Sequence, residues 1–422
     1  MKKIGIIGGG ASGMMAAIAA SKKGASVMIL EKQDRIGKKI LATGNGKCNL
    51  SNLSFSAQRD YHSRDKEKLE KYFDRFCVQD TISFFEECGL MITDKNGYLY
   101  PRSGQAATVL NLFLEQLEKY QVKVQTECVV ESVSHTKKGY LVKTNKEEYY
   151  FDELILSAGS SAGTKEKDKL GGMQLIKELQ IKADPMLPAL TAIRCSGEQW
   201  KAMAGVRCDG EITVILQDKQ GKTQTFRERG ELQLTEYGIS GIPTFQLSRH
   251  VSKALQQHNK TEAYLDFIPE LSWQEWKLVF EKQVKRSTGR NVLSFTEGMI
   301  NKKVAQVLLK EAGIRNTELI CYPMNDSAKK LMQLFKKYPI AIKETNPVFV
   351  SQVCAGGVYL SELDENLQVK AHQGLYVTGE LADVDGRCGG YNLQWAWTSG
   401  WIAGNAAAEA IHHKMTTDRK KK

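Results

Sequence analysis

The stretch Lys3-Ile4-Gly5-Ile6-Ile7-Gly8-Gly9-Gly10-Ala11-Ser12-Gly13 decides the fold class of this chain. The apolar run that ends at Ile7 predicts a buried strand, and residues 12–22, rich in Ala, Met and Ile, predict a helix packed on the sheet. Residues 27–30 predict a second, parallel strand. A strand, a glycine-rich turn, a helix and a second strand in this order predict a Rossmann-like α/β domain that binds a dinucleotide.

The spacing of the glycines predicts a separate structural role for each of them. Gly8 permits the tight turn, Gly10 lets the backbone approach a pyrophosphate, and Gly13 lets the helix pack closely against the strand. Ser12 lies in the first helical turn, where exposed N–H groups and the helix dipole favour phosphate. These four residues are therefore candidate contacts for the dinucleotide.

The end of the second strand carries an acidic residue. Glu31 lies eighteen residues after Gly13, where a carboxylate can accept hydrogen bonds from both ribose hydroxyls. Its charge disfavours a 2′-phosphate, so FAD or NAD fits this site better than NADP. Lys32 follows it and is a further candidate cofactor contact.

The segment 37–52 favours FAD over NAD. It follows the second strand without a long helix between, and its glycine, amide and lysine residues can offer N–H donors to phosphate or to a flavin edge. An ordinary surface loop is the alternative interpretation. The candidate contacts in this segment are Lys39, Thr43, Gly44, Asn45, Gly46, Lys47 and Asn49.

A second glycine-rich turn is predicted near the C-terminus. Residues 374–380 predict a short strand ending in Gly-Glu, and a double glycine precedes the last helix, whose N-terminus can face the flavin pyrimidine. Residues 152–159 predict a strand that returns to the main sheet, and Val130 is a candidate backbone contact to adenine or a core residue. The candidate contacts in these segments are Val130, Ala158, Gly159, Gly379, Glu380, Gly390, Asn392, Leu393 and Gln394.

With these motifs, and with residues 230–241, 355–358 and 379–396 in order along the chain, the sequence resembles the bacterial aminoacetone-oxidase-like (BaiN/RdsA) flavoprotein family. The resemblance implies non-covalent FAD and an α/β fold: a Rossmann-like domain of the two-dinucleotide-binding type with inserted β-barrel-like and helical domains. The implied domains are 1–190 with 351–422 for FAD, 191–270 with 338–350 for the β-rich insertion, and 271–337 for a helical basic subdomain.

Composition narrows the class of protein. The 422 residues carry a net charge of +11 and lack an apolar run long enough for a membrane span, so we expect a cytoplasmic protein with no membrane partner. Nine scattered cysteines without a C-x-x-C motif argue against a metal site and a disulfide framework.

The positive charge is concentrated in two regions. Residues 1–60 hold ten basic and three acidic side chains, and residues 281–345 hold thirteen and six. Helices with exposed basic faces are predicted at 273–285, 297–309 and 326–337, and such faces suit a polyanion or simply face water. On the last of these helices, Lys329, Lys330, Lys336 and Lys337 are candidate contacts for ribosomal RNA or a ribosomal precursor.

The leading hypothesis for function is an FAD-dependent oxidoreductase that reduces a carbon–carbon double bond, with uridine in 23S rRNA as the substrate and dihydrouridine as the product. Because no second G-x-G-x-x-G occurs, NAD(P)H is expected to bind only transiently as the reductant. The alternatives are a small-molecule flavoenzyme, such as an amine oxidase of the aminoacetone type or an enone reductase, and a flavin-carrying binding protein without enzymatic activity.

Reduction of a double bond also needs a proton donor. Cys388 lies three residues before Tyr391 in the motif expected to border the flavin, and a neutral thiol can donate. Cys48 and Tyr391 are the other candidates. For any single cysteine, burial in the core is the competing interpretation.

Overall fold

The computed structural model describes residues 2–164 and 172–420, with the side chains of 415–420 excepted. The chain forms two compact units, Met1–Met186 with Val353–Lys422, and Leu187–Gln352. The second unit contains both the predicted β-rich segment and the predicted helical segment. The finer division into three domains stays a prediction.

The N-terminal part of the first unit alternates strands and helices. Its strands, the last of which ends just inside the second unit, are β1 (Lys3–Ile7), β2 (Ser26–Leu30), β3 (Ser51–Asn52), β4 (Tyr61–His62), β5 (Ile92–Lys95), β6 (Tyr98–Pro101), β7 (Lys123–Gln125), β8 (Val130–Thr136), β9 (Gly139–Thr144), β10 (Glu148–Phe151), β11 (Glu153–Leu156) and β12 (Ala183–Ala189). Its helices are α1 (Ala11–Lys22), α2 (Lys38–Ala42), α3 (Ala57–Asp60), α4 (Leu69–Phe73), α5 (Val78–Glu87), α6 (Ala106–Lys119) and α7 (Gly172–Glu178).

The second unit follows as a continuous insertion. Its elements are β13 (Ile193–Cys195), α8 (Gln199–Met203), β14 (Arg207–Gln217), β15 (Thr223–Thr235), β16 (Gly238–Ser240), α9 (Ile242–Gln256), β17 (Lys260–Asp266), α10 (Trp273–Arg286), α11 (Val292–Glu297), α12 (Lys302–Ala312), α13 (Asp326–Lys336), β18 (Tyr338–Ile340) and β19 (Ile342–Thr345). The first unit then resumes with β20 (Val353–Val358), β21 (Leu375–Val377), β22 (Asp385–Gly386) and α14 (Tyr391–Lys420).

The first unit is built on a parallel sheet with the strand order β21-β11-β1-β2-β7. Strands β1 and β11 are buried almost throughout, which explains their continuous apolar sequences. The fold prediction of a Rossmann-like α/β domain is therefore confirmed. Because all five strands run the same way, their carboxyl ends meet at one edge, where β1, β11 and β21 each pass into a polar or glycine-rich loop.

Helices α1 and α14 pack closely in the core of this unit. A Cβ on Gly404 would lie 2.3 Å from the carbonyl oxygen of Ala16, and one on Gly400 would lie 2.3 Å from that of Ser12. Glycine in α14 therefore lets two backbones touch, and α1 is buried from Ser12 to Ser21. This packing fixes the N-terminus of α1 against the sheet.

The second unit holds a seven-stranded antiparallel sheet in the order β18-β17-β14-β15-β16-β13-β19, with its own apolar core. The single helix predicted at 297–309 is wrong, because α11 ends at Glu297 and α12 begins at Lys302. The side chain of Asn301 caps α12 by accepting from the Lys303 N–H at 2.9 Å. No helix in the described part of the chain combines the length and apolar character needed to cross a membrane.

Candidate functional site

The glycine-rich turn after β1 leaves space over its backbone. Gly8 has φ +104°, and a Cβ on Gly13 would lie 2.0 Å from the Gly8 carbonyl oxygen, so both positions are restricted by the protein itself. Gly10 precedes α1 in an extended conformation, and a Cβ there would meet no described atom within 4 Å. An open backbone at a helix N-terminus is suited to a phosphate group.

Glu31 is buried at the end of β2 and is held by two backbone groups. The Gly9 N–H donates to its Oε2 at 2.7 Å, and the Gln33 N–H donates to its Oε1 at 2.8 Å. These bonds fix the carboxylate beside the glycine turn, and each oxygen keeps acceptor capacity for a hydroxyl. Lys32 is half-buried next to it.

The segment between α2 and β3 winds in the left-handed region. Gly44, Asn45 and Gly46 have φ of 55°, 53° and 83°, and residues 44–47, including Lys47, are exposed. The Thr43 hydroxyl donates to the Ile40 carbonyl at 2.6 Å and anchors the start of the turn. Left-handed segments of this kind can bind an anion or a polar ring edge through their backbone N–H groups, and a cofactor contact by this segment stays a prediction.

Asn49 closes this segment against the neighbouring sheet. With its amide oriented to satisfy both atoms, it donates to the carbonyls of Leu99 at 3.1 Å and Ser51 at 3.0 Å. Its side chain is therefore used within the protein. A cofactor contact by Asn49 through its backbone stays a prediction.

Glu380 is the most informative residue of the site. Its Oε2 accepts from the Lys39 ammonium at 2.7 Å and from the Ser160 hydroxyl at 2.7 Å, and Gly159 approaches the same oxygen. Its Oε1 is buried and has no hydrogen-bond partner within the residues that the structure describes. A buried carboxylate oxygen normally has a partner, so this atom points to a hydroxyl-bearing ligand.

A buried thiol lies next to this carboxylate. Burial, with the nearby Glu380 charge, raises the pKa of Cys354 on β20 to about 12. The sequence shows no sign of this proximity, since Cys354 lies on β20 whereas Glu380 follows β21. Ser160, also not predicted, had a signal: it is the polar residue directly after Gly159 at the carboxyl end of β11.

The other strand-end candidates lie at the same edge of the sheet. The Ser157 N–H donates to the Ile7 carbonyl at 2.8 Å, which places Ala158 beside the glycine turn. Val130 begins β8 and is paired with Thr144 on β9, and its backbone contact to adenine stays a prediction.

The turn before α14 is held open by two glycines. Gly389 has φ +126° and Gly390 has φ +90°, conformations that other residues rarely adopt. The Asn392 side chain clamps this turn, because it accepts from the Gly386 N–H at 2.8 Å and donates to the Gly386 carbonyl at 2.9 Å. The side chain of Asn392 thus shapes the helix N-terminus from within.

The side chain of Gln394 is likewise bonded within the protein. Its Oε1 accepts from Ser51 at 2.6 Å and from Thr81 at 2.9 Å, its Nε2 donates to Thr398 at 3.1 Å, and it is fully buried. Leu393 packs against the core. A flavin contact by these two residues stays a prediction.

Cys48 does not fit the predicted role of proton donor. Its side chain is fully buried in the apolar core, and burial raises its pKa to about 12. A thiol enclosed in this way cannot meet a substrate without local unfolding. Its backbone, with φ +57°, ends the left-handed segment that begins at Gly44.

Cys388 and Tyr391 remain the candidate acids. Cys388 is half-buried in the turn before α14. The Tyr391 ring packs edge-on against Tyr61, and its hydroxyl interacts with the Arg59 guanidinium, which Asp60 holds with two bonds of 2.8 Å. Burial raises the pKa of the Tyr391 phenol, so it stays protonated at neutral pH. The sequence alone gave no indication of the Arg59–Asp60 pair.

The prediction that Lys336 contacts RNA is wrong. Its ammonium pairs with Asp266 at 2.5 Å and donates to the carbonyls of Ile268 at 2.9 Å and Leu271 at 2.6 Å. With side-chain exposures of 12% and 14%, Lys336 and Asp266 form an internal pair. This lysine holds α13 to the segment after β17.

The remaining lysines of α13 are exposed. Lys329 pairs with Asp326 at 3.1 Å on its own helix, which reduces its attraction for an anion. Lys330 and Lys337 both border a cleft in the second unit. Whether they contact RNA stays a prediction.

A parallel sheet with an open glycine turn at a helix N-terminus, a buried acid beside that turn and a carboxylate oxygen with no partner among the described residues fits a bound flavin dinucleotide. The class is that of FAD-dependent oxidoreductases with a Rossmann-like FAD-binding fold. The chain belongs to the family described as "HI0933-like protein Rossmann domain", which matches residues 2–406.

Two relatives that match this chain by sequence have names that describe different activities. The 3-dehydro-bile acid delta(4,6)-reductase of Clostridium scindens is 38% identical over 416 residues, 97% of this chain and 100% of the relative. The ribosomal RNA dihydrouridine synthase of Haemophilus influenzae is 26% identical over 405 residues, 94% and 96% of the two chains. A solved 3-ketosteroid-delta4-(5alpha)-dehydrogenase from Rhodococcus jostii RHA1 is 14% identical, with a TM-score of 0.48 over 96% and 97%.

Proposed function

We propose that this protein reduces a carbon–carbon double bond conjugated to a carbonyl group. The observation that carries the proposal is that two relatives matched along nearly the whole chain are both named for saturating a carbon–carbon double bond, although their substrates differ. In uracil and in an unsaturated ketone alike, the carbonyl polarises the double bond and makes its far carbon electrophilic. One reaction type therefore accounts for both names.

FAD would supply the hydride from its N5 position. The chain would hold the cofactor through the N–H groups after Gly8, the Glu31 carboxylate and the buried Oε1 of Glu380. Lys39 and Ser160 orient the Glu380 carboxylate through its Oε2. NAD(P)H is the proposed reductant, and bleaching of the flavin absorbance by NADH or NADPH under nitrogen tests that assignment.

The protein must also deliver a proton to the substrate. Hydride addition leaves negative charge on the carbonyl and the adjacent carbon, and a neutral acid has to reach that carbon. Cys388 is the first candidate because it is half-buried and can be reached, and Tyr391 is the second because its phenol stays neutral. Cys388 lies in the glycine-rich turn before α14, and Tyr391 is the first residue of that helix.

The two acids can be separated by substitution. Cys388→Ala should leave flavin reduction by NAD(P)H unchanged and slow product formation about 100-fold or more, the usual contribution of a general acid. Tyr391→Phe serves as the matched variant at the alternative donor. Wild-type turnover of Cys388→Ala together with slow turnover of Tyr391→Phe would transfer the role to Tyr391.

Two substrates are proposed for this reaction. The first is uridine in 23S rRNA, supported by the ribosomal RNA relative and by the excess of basic residues. The second is a small unsaturated ketone, favoured by the higher identity to the bile acid reductase. An amine oxidase gains no support from these relatives.

Nucleoside mass spectrometry of 23S rRNA decides between the two substrates. Loss of one dihydrouridine in cells lacking the protein, with recovery on complementation, would establish RNA. Unchanged rRNA in a strain where that nucleoside is detectable would exclude it. A panel of unsaturated ketones, assayed for NAD(P)H consumption, would then follow.

A further inference from the structure

The second unit contains an open cleft of about 770 Å³ that the FAD site does not use. It lies beside the edge strand β18, between strand β17 and helices α10 and α13. Aromatic and lysine side chains line it, among them Tyr264, Trp273, Lys330 and Lys337. All of these residues belong to the unit Leu187–Gln352.

Trp273 presents an aromatic surface to this cleft. It is 42% exposed, although it stands at the first position of α10, whose start is fixed by the capping box of Ser272 and Glu275. Trp276, one turn further, is buried and donates its indole N–H to the Met332 carbonyl at 2.9 Å. Helix α10 thus buries Trp276 in the core and holds Trp273 at its capped N-terminal end, where the ring faces solvent.

The cleft carries net positive charge at its rim. The Lys337 ammonium lies 5.0 Å from the centre of the Tyr264 ring, and Lys330 is exposed on α13. Neither lysine forms an ion pair within residues 2–164 and 172–420. Glu262 is the acidic residue of the lining, and its carboxylate pairs with Lys260 at 2.8 Å.

We propose that this cleft binds a nucleotide, with the base against Trp273 and the phosphate between Lys330 and Lys337. A purely apolar ligand would displace water from the two ammonium groups without offering them hydrogen bonds. A simple anion would make no contact with the indole ring of Trp273. A planar base attached to a phosphate satisfies both features. The site is argued independently of the proposed reductase activity.

The same chemistry has two sources, a free nucleotide or a nucleotide within single-stranded RNA. If RNA is the source, the cleft adds a docking surface to the proposed rRNA substrate. Binding is measured without turnover, so failure here leaves the reductase proposal intact, and the reverse also holds.

The test compares three proteins with FAD bound: the wild type, the Lys330→Glu/Lys337→Glu variant and the control Lys282→Glu. Lys282 is exposed on α10 and lies outside the cleft lining. Calorimetry with uridine 5′-monophosphate and fluorescence anisotropy with a labelled oligouridylate report affinity at several salt concentrations. Trp273→Ala tests the aromatic support, and melting curves verify that each variant folds.

The proposal expects the double variant and Trp273→Ala each to weaken binding by about tenfold or more, while the control changes little. Tighter binding of the oligouridylate, with a salt slope reduced by about two in the double variant, identifies an RNA strand as the source. Equal affinity for the mononucleotide identifies a free nucleotide. Absence of binding, or equal affinity in the double variant and the control, overturns the proposal.

Discussion

Substitution of Gly10 separates cofactor binding from folding. Its backbone is extended, with φ −80° and ψ −169°, a conformation open to any residue, and an added Cβ meets no described atom within 4 Å. Gly10→Val therefore fits the protein without its cofactor. The loss of a good N-cap residue costs about 1 kcal/mol in the free energy of unfolding, which a chain of this size tolerates.

The substitution is expected to weaken FAD binding rather than folding. If the pyrophosphate binds as proposed, the valine side chain would fill the open space beside the N–H groups of α1. Each hydrogen bond to a charged group contributes about 1.5–3 kcal/mol. Loss of two such bonds would weaken FAD binding by about 3–6 kcal/mol, or roughly a hundredfold to ten-thousandfold.

The assay is the ratio of flavin to protein absorbance after gel filtration, followed by titration of the apoprotein with FAD. Gly210→Ala is the control, because its Cβ on β14 of the second unit would lie 2.7 Å from the Leu232 side chain and 3.0 Å from the Asp266 carbonyl oxygen, so it disturbs packing away from the turn. The control should melt at lower temperature yet keep FAD. Full FAD occupancy in Gly10→Val would refute the assignment of this turn to the pyrophosphate.

Three further results are expected. Glu380→Ala should weaken FAD binding by about ten- to a hundredfold, because the buried Oε1 is lost as an acceptor, and an unchanged affinity in the FAD titration would contradict that role. Burial raises the pKa of Cys48 to about 12 from 9.0, so at pH 9 its thiolate fraction is roughly 500-fold below that of the unfolded chain. Iodoacetamide should therefore label the exposed Cys321 and spare Cys48. Because unfolding releases this proton more readily, the free energy of unfolding should fall as pH rises from 9 towards 12, and a flat profile in urea titrations would argue against the burial. Lys336→Ala should cost about 1–3 kcal/mol in the same titrations, since the partly buried Asp266 carboxylate loses its cation, whereas Lys330→Ala should cost less than about 0.5 kcal/mol.

The parts of the fold that the sequence predicted depend on local spacing. A Cβ on Gly13 would strike the Gly8 carbonyl oxygen five residues earlier, and Gly8 has a positive φ that favours glycine, so both constraints show in the local spacing, although a Cβ on Gly8 would also strike the distant Ser157 backbone. Strand β1 before the turn is buried from Ile4 to Ile7 and appears as a continuous apolar run. Asn301 shows that a local signal can also be overlooked, since an N-cap residue marks the start of α12.

What the sequence could not show are partners far along the chain. Gln394 was predicted to contact the flavin because it opens the last helix, yet its amide bonds to Ser51 and Thr81, more than 300 residues earlier. Lys336 was placed on an exposed basic face, but Asp266 draws its ammonium inward. The sequence alone does not show whether a polar side chain is exposed or hydrogen-bonded to a residue far along the chain.

An anaerobic single-turnover experiment tests the central claim, that this protein saturates a carbonyl-conjugated double bond. The protein with FAD is reduced, separated from excess reductant, and mixed either with 23S rRNA from cells lacking the protein or with unsaturated ketones. One of these substrates should restore the oxidised flavin absorbance and gain the mass of two hydrogen atoms. Flavin that stays reduced with every such substrate and reacts only with oxygen would contradict it.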